Sequence, residues 1–270
     1  MSDFRADLHC HSTCSDGSDA PLELVKEAKK RALHGLSITD HDTAAAYTPE
    51  LFAQAEALSL RIVTGVEIST ELEGLSVHIL GYGYDLHSLS FSTFLQDIQK
   101  QRAERNRSIL KKLANRNMSI AEEELLATET KTIGRPHIAA LMVKKGYVSS
   151  VQQAFDWFLK DGAPCDASGF QHTPQEAIKQ IQQGGGKAIL AHPHFYKREA
   201  YLKKILSCSF DGIECYYASL PLVLELPWVH LAKDRGWIVT GGSDYHGVFK
   251  NILLGSSWVG LDIFNTLLVR

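Results

Sequence analysis

Two rhythms of apolar residues alternate along this chain. Short apolar runs at Phe4–Leu8, Leu36–Thr39, Arg61–Val66, Ser76–Tyr82, Lys187–Ala191, Gly212–Cys215 and Trp237–Thr240 read as strands. Between them lie segments whose apolar residues return every three or four positions. Pro21–Leu33 carries Leu22, Val25, Ala28 and Ala32 on one face and opens on proline, which suits a first helical turn. Pro49–Ser59 follows Thr48 as its cap. Thr173-Pro-Gln-Glu176 is a capping box, and its helix ends at Gly184-Gly-Gly186. Further helices are expected near 197–206 and 222–235. Strands and helices alternating at this length predict an α/β fold with a parallel sheet, open or closed into a barrel.

The rhythm changes between about Phe91 and Asp161, where helix follows helix with no convincing strand. Phe91–Asn115 is long and is read with Lys100, Arg102, Arg105, Arg107, Lys111 and Lys112 on its exposed face. Ser119-Ile-Ala-Glu122 is a second capping box, and Arg135–Lys145 and Ser150–Lys160 complete the set. The expected organisation is a discontinuous α/β unit, residues 1–88 and 166–270, with 89–165 inserted as a helical cap.

Composition narrows the function. A length of 270 residues suits one large domain with an insertion, and 44% hydrophobic with 22% charged residues is ordinary for a soluble enzyme. A net charge of −3 argues against a grip on long duplex nucleic acid but allows a small phosphorylated ligand. The five cysteines are odd in number and match no zinc-ribbon spacing, so they are expected to be reduced. Cys10 and Cys14 sit among candidate ligands, but neighbouring His and Asp supply enough without a thiolate. The N-terminus lacks the apolar core of a signal peptide, and no run is long enough to span a bilayer. The expected location is cytoplasmic.

The polar residues at the strand ends carry the chemistry. His9 and His11 follow the first strand; Asp40, His41 and Asp42 follow the second. Glu67 ends the third, His78 lies on the fourth, and His192 follows Lys187–Ala191. Asp244 and His246 follow the last. The C-terminal face of a parallel α/β barrel is where sites are built. His9 and His11 are two apart, as are Asp244 and His246, so each pair can face one cavity. With Asp16, that makes nine candidate metal ligands: His9, His11, Asp16, His41, Glu67, His78, His192, Asp244 and His246. One ion rarely takes more than about four to six protein ligands, so two or three divalent ions are expected, with Glu67 bridging.

Asp-Leu-His-x-His-Ser, Ser-Asp-Gly, Thr-Asp-His-Asp, Gly-Val-Glu-Ile, Ala-His-Pro and Gly-Ser-Asp-Tyr-His-Gly, running from residue 7 to 247, resemble the PHP (polymerase and histidinol phosphatase) superfamily. The resemblance implies a distorted seven-stranded, TIM-like β/α barrel with a trinuclear metal centre. It would place His9, His11, Glu67 and Asp244 on one ion, Asp16, His41 and His246 on a second, and Glu67, His78 and His192 on a third. Asp7 and Asp40 would orient the ligating imidazoles. Manganese is the first expectation, with iron or zinc as alternatives, since all three accept these ligands. Thr132-Ile-Gly-Arg-Pro-His-Ile-Ala139 and Phe155-x-x-Phe-Leu-x-x-Gly-x-Pro164 resemble the branch acting on nucleoside 3′,5′-bisphosphates and short RNA 5′ ends. That branch would use Arg135 and His137 on a substrate phosphate, with Lys160 and Arg198 as further candidates.

The implied reaction is metal-assisted phosphomonoester hydrolysis by a hydroxide bridging two ions, with Arg135 stabilising charge on the phosphoryl oxygens. His194 is the candidate general acid. Two alternatives remain open at this point: a histidinol-phosphate phosphatase, against which the Gly-Arg-Pro-His motif argues, and a metal-binding regulatory module without catalysis. A polymerase-associated role is not expected, as no polymerase domain follows.

Overall fold

Eight strands among the described residues form two sheets. The computed structural model describes residues 4–128, 130, 132–167 and 172–268. In the first sheet β1 (Ala6–Asp7), β2 (Gly35–Leu36) and β3 (Arg61–Ile62) pair in parallel. In the second, β4 (Gly65–Leu72), β5 (Leu75–Tyr82), β6 (Lys187–Leu190), β7 (Gly212–Tyr217) and β8 (Ile238–Gly242) lie in that order.

The closed seven-stranded barrel expected from the sequence is not what these residues form. The reason lies at Glu73 and Gly74, which both adopt left-handed backbone (φ 51° and 79°) and close a two-residue hairpin between β4 and β5. A connection this short forces antiparallel pairing. β5 also runs antiparallel to β6, so within this second sheet only β6, β7 and β8 keep the expected parallel order. The single strand expected over Arg61–Val66 breaks at Val63 and Thr64, and Glu67 falls inside β4 rather than at a strand end. Single bridges, His41 to Glu67 and Cys10 to Tyr245, join the two sheets where longer ladders would close a ring.

Tyr47 locks this junction. Its buried hydroxyl accepts from the amides of Gly65 (2.7 Å) and Ile38 (3.0 Å) and donates to the Ile38 carbonyl (2.7 Å). The backbones approach so closely that a Cβ at Gly65 would lie 2.1 Å from Ser37 Oγ.

Helices α1 (Pro21–Lys30) and α2 (Pro49–Ala57) bury Leu24, Val25, Ala28, Leu51 and Ala55 against Leu36 and Ile38. The longest helix, α3 (Leu89–Ala114), has 26 residues and so spans about 39 Å. Its first half, Phe91, Phe94, Leu95 and Ile98, packs with the β4–β5 hairpin and with Ile178 and Ile181 of α7 (Pro174–Gln183). Its second half, Ile109, Leu110 and Leu113, belongs to a different core with Leu125 of α4 (Glu122–Leu126), Ile138 and Met142 of α5 (Arg135–Lys144), Ala154 of α6 (Val151–Ala154) and Leu159. Helix α3 is thus a strut shared by two cores.

Three local expectations change. Arg102 and Arg105 are buried, not exposed, because they sit where α3 passes from one core to the other. The box expected from Ser119 to Glu122 moves two residues on, and Glu124 instead accepts from the Ala121 amide (2.9 Å). The helix expected over Ser150–Lys160 becomes α6 followed by a π-helical turn, Phe155–Leu159. The box at Thr173 and Glu176 forms as read. Helices α8 (Glu199–Ile205), α9 (Leu222–Arg235) and α10 (Leu261–Thr266) complete the set; no described helix is long and apolar enough to cross a membrane.

Tyr47→Phe strands two buried amides, at about 1–3 kcal/mol for each orphaned donor. Urea denaturation of the two proteins should show a loss in that range or its double; equal midpoints would show that the junction does not depend on this hydroxyl.

Candidate metal centre

Glu67 is the hub of a buried knot of imidazoles. Its Oε1 lies 2.8 Å from His78 Nδ1 and 2.9 Å from His192 Nε2. Its Oε2 lies 3.1 Å from His11 Nε2 and 3.4 Å from both His9 Nε2 and His41 Nδ1. The hairpin register explains part of this, since His78 faces Ser69 and so sits diagonally from Glu67 on one face of the sheet. Asp16 Oδ1 is 3.3 Å from His11 Nδ1 and 3.5 Å from His246 Nε2, and its Oδ2 is 3.7 Å from His41 Nε2. Asp244 Oδ1 is 3.4 Å from His9 Nε2 and 3.4 Å from His246 Nδ1. Three groups have ligand atoms within 4.8 Å of one another: His11, Asp16, His41 and His246; His9, His11 and Asp244; and His41, Glu67 and His78. All nine residues expected as ligands converge here, with His192 joining through Glu67.

The hydrogen bonds around the knot show what it is short of. Glu214 accepts from His9 Nδ1 (2.8 Å), which leaves Nε2 facing Glu67 and Asp244. The Asp244 carbonyl accepts from His246 Nδ1 (2.8 Å), turning that Nε2 lone pair toward Asp16. A ring nitrogen facing a carboxylate needs a cation between them, a metal ion or, in its absence, a proton. His9 and His11 approach Nε2 to Nε2 at 3.3 Å, and the buried Nδ1 atoms of His41 and His192 have no hydrogen-bond partner. Burial alone would lower the His9 pKa, but Glu214, Asp244 and Glu67 outweigh it and push it up to about 10. Burial alone would likewise raise the carboxylates, yet the imidazoles around Asp16 and Glu67 hold both well below the usual range. The donor set, imidazole nitrogen and carboxylate oxygen, fits divalent manganese, iron or zinc.

Backbone strain collects at the same place. Asp42, His192 and Asp244 have φ of 55°, 28° and 53°. Such conformations cost about 1–3 kcal/mol each and persist where surrounding contacts fix them.

Over the knot opens a cavity of about 380 Å³ whose wall includes Arg102, Arg105, Arg135 and Lys250. Arg102 is held by Asp42 (2.5 Å) and Ser69 (2.7 Å). Arg105 donates to the Ala167 carbonyl (2.6 Å), and Arg135 to Asp161 (2.7 Å) and the Leu159 carbonyl (3.0 Å). Burial, with Arg135 and Arg102 as neighbours, lowers the Arg105 pKa to about 10. Arg102, Arg105, Lys250 and Glu214 were missed as site residues in the sequence. The arginines were hidden in a basic stripe that looked solvated. Glu214 was visible at a strand but matched no motif.

The remaining expected residues lie as follows. Neither Asp7 nor Asp40 bonds an imidazole directly; Asp40 reaches His11 only through the Ser15 hydroxyl, which lies 3.4 Å from His11 Nδ1. Asp7 accepts from the amides of His9, Ser243 and Gly255, and Asp40 from the amide and hydroxyl of Ser12 and the hydroxyl of Ser15. They fasten the loops instead, because their short side chains reach backbone first. His137 Nδ1 accepts from the Gly134 amide (3.1 Å) and closes the start of α5. Lys160 is exposed and pairs with Asp156 (3.4 Å). Arg198 lines a second cavity of about 370 Å³ that shares His78, Arg135, His192 and Phe195 with the first. His194 packs between Phe195 and Tyr217 (ring centroids 4.3 and 4.4 Å). Burial and His192 lower its pKa to about 4, so at neutral pH it carries no acidic proton to give. Cys10 donates its thiol to the Ser37 carbonyl and is not turned into the knot.

A model of the PHP domain matches residues 7–163. The chain belongs to the PHP family. It is 32% identical to a 5′-3′ exoribonuclease of Haemophilus influenzae, over 90% of both chains. It is 29% identical to a phosphoribosyl 1,2-cyclic phosphate 1,2-diphosphodiesterase of Eggerthella lenta (91% of this chain, 95% of the relative). It is 30% identical to a 3′,5′-nucleoside bisphosphate phosphatase of Chromobacterium violaceum (89% and 86%). A protein of Bifidobacterium adolescentis, described as a metal-dependent phosphoesterase, superposes with a TM-score of 0.87 at 29% identity, over 98% of this chain and 96% of that one. This PHP protein is a hydrolase of phosphoric esters, which removes the non-catalytic alternative.

Glu214 also accepts from the His192 amide at 2.7 Å, so both its oxygens are engaged. In Glu214→Gln the amide NH₂ must confront one of these two donors. Competition with a chelator should show divalent-metal affinity falling about 10–100-fold; unchanged affinity would mean that Glu214 does not set the His9 ring.

Proposed function

We propose that this PHP protein removes the 3′-phosphate of nucleoside 3′,5′-bisphosphates and processes short RNA from the 5′ end at the same site. The observation that carries this reading is the crowding of Arg102, Arg105 and Arg135 in the cavity that holds the imidazole–carboxylate knot. Planar guanidinium forks match phosphate, and three of them line one cavity wall. The second cavity adds Lys197, Arg198 and Tyr196 to the shared Phe195, a basic and aromatic lining suited to another phosphate and a base. The names of the Haemophilus and Chromobacterium relatives agree with such substrates.

In this reading two or three divalent ions, manganese first, are held by His9, His11, Asp16, His41, Glu67, His78, His192, Asp244 and His246. Bound there, they supply Lewis acidity toward the phosphoryl oxygens and activate water near neutral pH. Arg135 holds a phosphate from above, its own fork oriented by Asp161. Arg102 is locked by Asp42 and Ser69, so its charge stays fixed as negative charge develops on the substrate. Residues 89–165 act as a cap, which Asp161 fastens to β5 through the Ser76 amide (3.0 Å) and hydroxyl (3.2 Å).

Manganese-loaded protein should release phosphate from adenosine 3′,5′-bisphosphate, leaving AMP, and turn over histidinol phosphate far more slowly. Arg135→Ala should raise KM about tenfold or more, the worth of a charge-assisted hydrogen bond. Turnover of histidinol phosphate or a 1,2-cyclic ribose phosphate, with the bisphosphate untouched, would contradict the assignment.

A further inference from the structure

Lys250 is bound to the knot itself. Its Nζ donates to Asp244 Oδ2 at 2.6 Å, and the Tyr217 hydroxyl donates to the same oxygen at 2.6 Å. Asp244 Oδ1 turns the other way, 3.4 Å from His9 Nε2 and 3.5 Å from His11 Nε2. One carboxylate thus divides its oxygens between the imidazoles and a cation. Tyr217 shares with the ammonium the task of orienting Asp244. An ammonium has three donors, and among the described residues Lys250 makes no second hydrogen bond. The side chain is 37% exposed, and it lines the same cavity as Arg135.

The turn that carries it is pinned from the first loop of the chain. Tyr245 donates its hydroxyl to Asp19 (2.6 Å), the Ser18 amide donates to the His246 carbonyl (3.2 Å), and Val248 donates its amide to Ser18 Oγ (3.1 Å). Gly247, at φ 68°, lies so close that a Cβ would sit 1.7 Å from Ser18 Oγ. Lys250 therefore starts from a fixed backbone, unlike a surface lysine on a free loop.

We propose that Lys250 is a phosphate-binding residue of this site, gripping a non-bridging oxygen of the scissile phosphate beside Asp244. The inference rests on the phosphomonoesterase reading. A phosphate held by ions that Asp244 helps to bind lies next to this carboxylate, within the sweep of an ammonium already touching it. Arg135 comes from the cap and Lys250 from the turn after β8, so the two cations reach the phosphate from different elements.

The test compares wild type, Lys250→Met and Lys250→Arg, each loaded with manganese. Bound metal is measured by atomic absorption and inorganic phosphate binding by calorimetry. Lys250→Met should keep its manganese and bind phosphate about tenfold more weakly or worse, with Lys250→Arg recovering much of the loss. For any phosphomonoester turned over, KM should rise more than kcat falls. Unchanged phosphate affinity overturns the proposal. Parallel loss of manganese and phosphate also overturns it, by showing that Lys250 serves Asp244 alone. If Lys250→Met does not fold, Lys250→Gln makes the same comparison. Phosphate binding needs no turnover, so it tests Lys250 even if the bisphosphate is not the substrate; equally, a negative result here leaves the substrate assignment standing.

Discussion

Glu67 is the residue on which the arrangement turns. One buried carboxylate stands within 3.4 Å of five imidazoles, carried by three separate segments of chain and by its own hairpin partner. Burying a charge is costly unless opposite charge comes with it. Here the carboxylates of Glu67, Asp16 and Asp244 face ring nitrogens across short gaps, an arrangement that calls for cations between them. The fold is arranged to hold it. Tyr47 clamps the two sheets, Asp7 and Asp40 fasten the loops, and two candidate ligands, His192 and Asp244, together with Asp42 hold strained backbone.

The second constraint is the shared strut. Helix α3 begins in the core of the larger sheet and ends in the helical core, and at the crossover it buries Arg102 and Arg105. Burying two arginines side by side is unfavourable without partners, and Asp42, Asp161 and Asp166 meet that need. Two of these acids also reach the knot's surroundings: Asp42 caps the Ser69 amide (2.7 Å), and Asp161 bridges Arg135 to β5. Helix α3, the cation cluster and the candidate metal centre are thus one hydrogen-bonded assembly.

Much of the site was legible in the sequence, because metal ligation demands particular side chains and leaves dense motifs. The ligand residues could be named from His9-x-His11, Thr39-Asp40-His41 and Asp244-x-His246, and the structure brings them together. Local helices with strong caps, such as the one opened by Thr173 and Glu176, were also readable. Sheet order was not. A two-residue turn at Glu73-Gly74 reverses the chain where alternation suggested another parallel strand, and pairing direction depends on contacts distant in sequence. The role of the arginines on α3 was hidden for a similar reason. Periodicity gives a helix its faces, but a helix passing between two cores has no single solvent side. Glu214 and Lys250 act on ligands rather than as ligands, so nothing in their own motifs marked them.

The central claim is that the knot around Glu67 is a metal centre. The most direct measurement is an anomalous difference map from crystals soaked in manganese and recorded above the manganese absorption edge. The account predicts two or three peaks, each contacting imidazole and carboxylate atoms of the set His9, His11, Asp16, His41, Glu67, His78, His192, Asp244 and His246. Strong manganese peaks only elsewhere on the molecule, with none inside the knot, would contradict it.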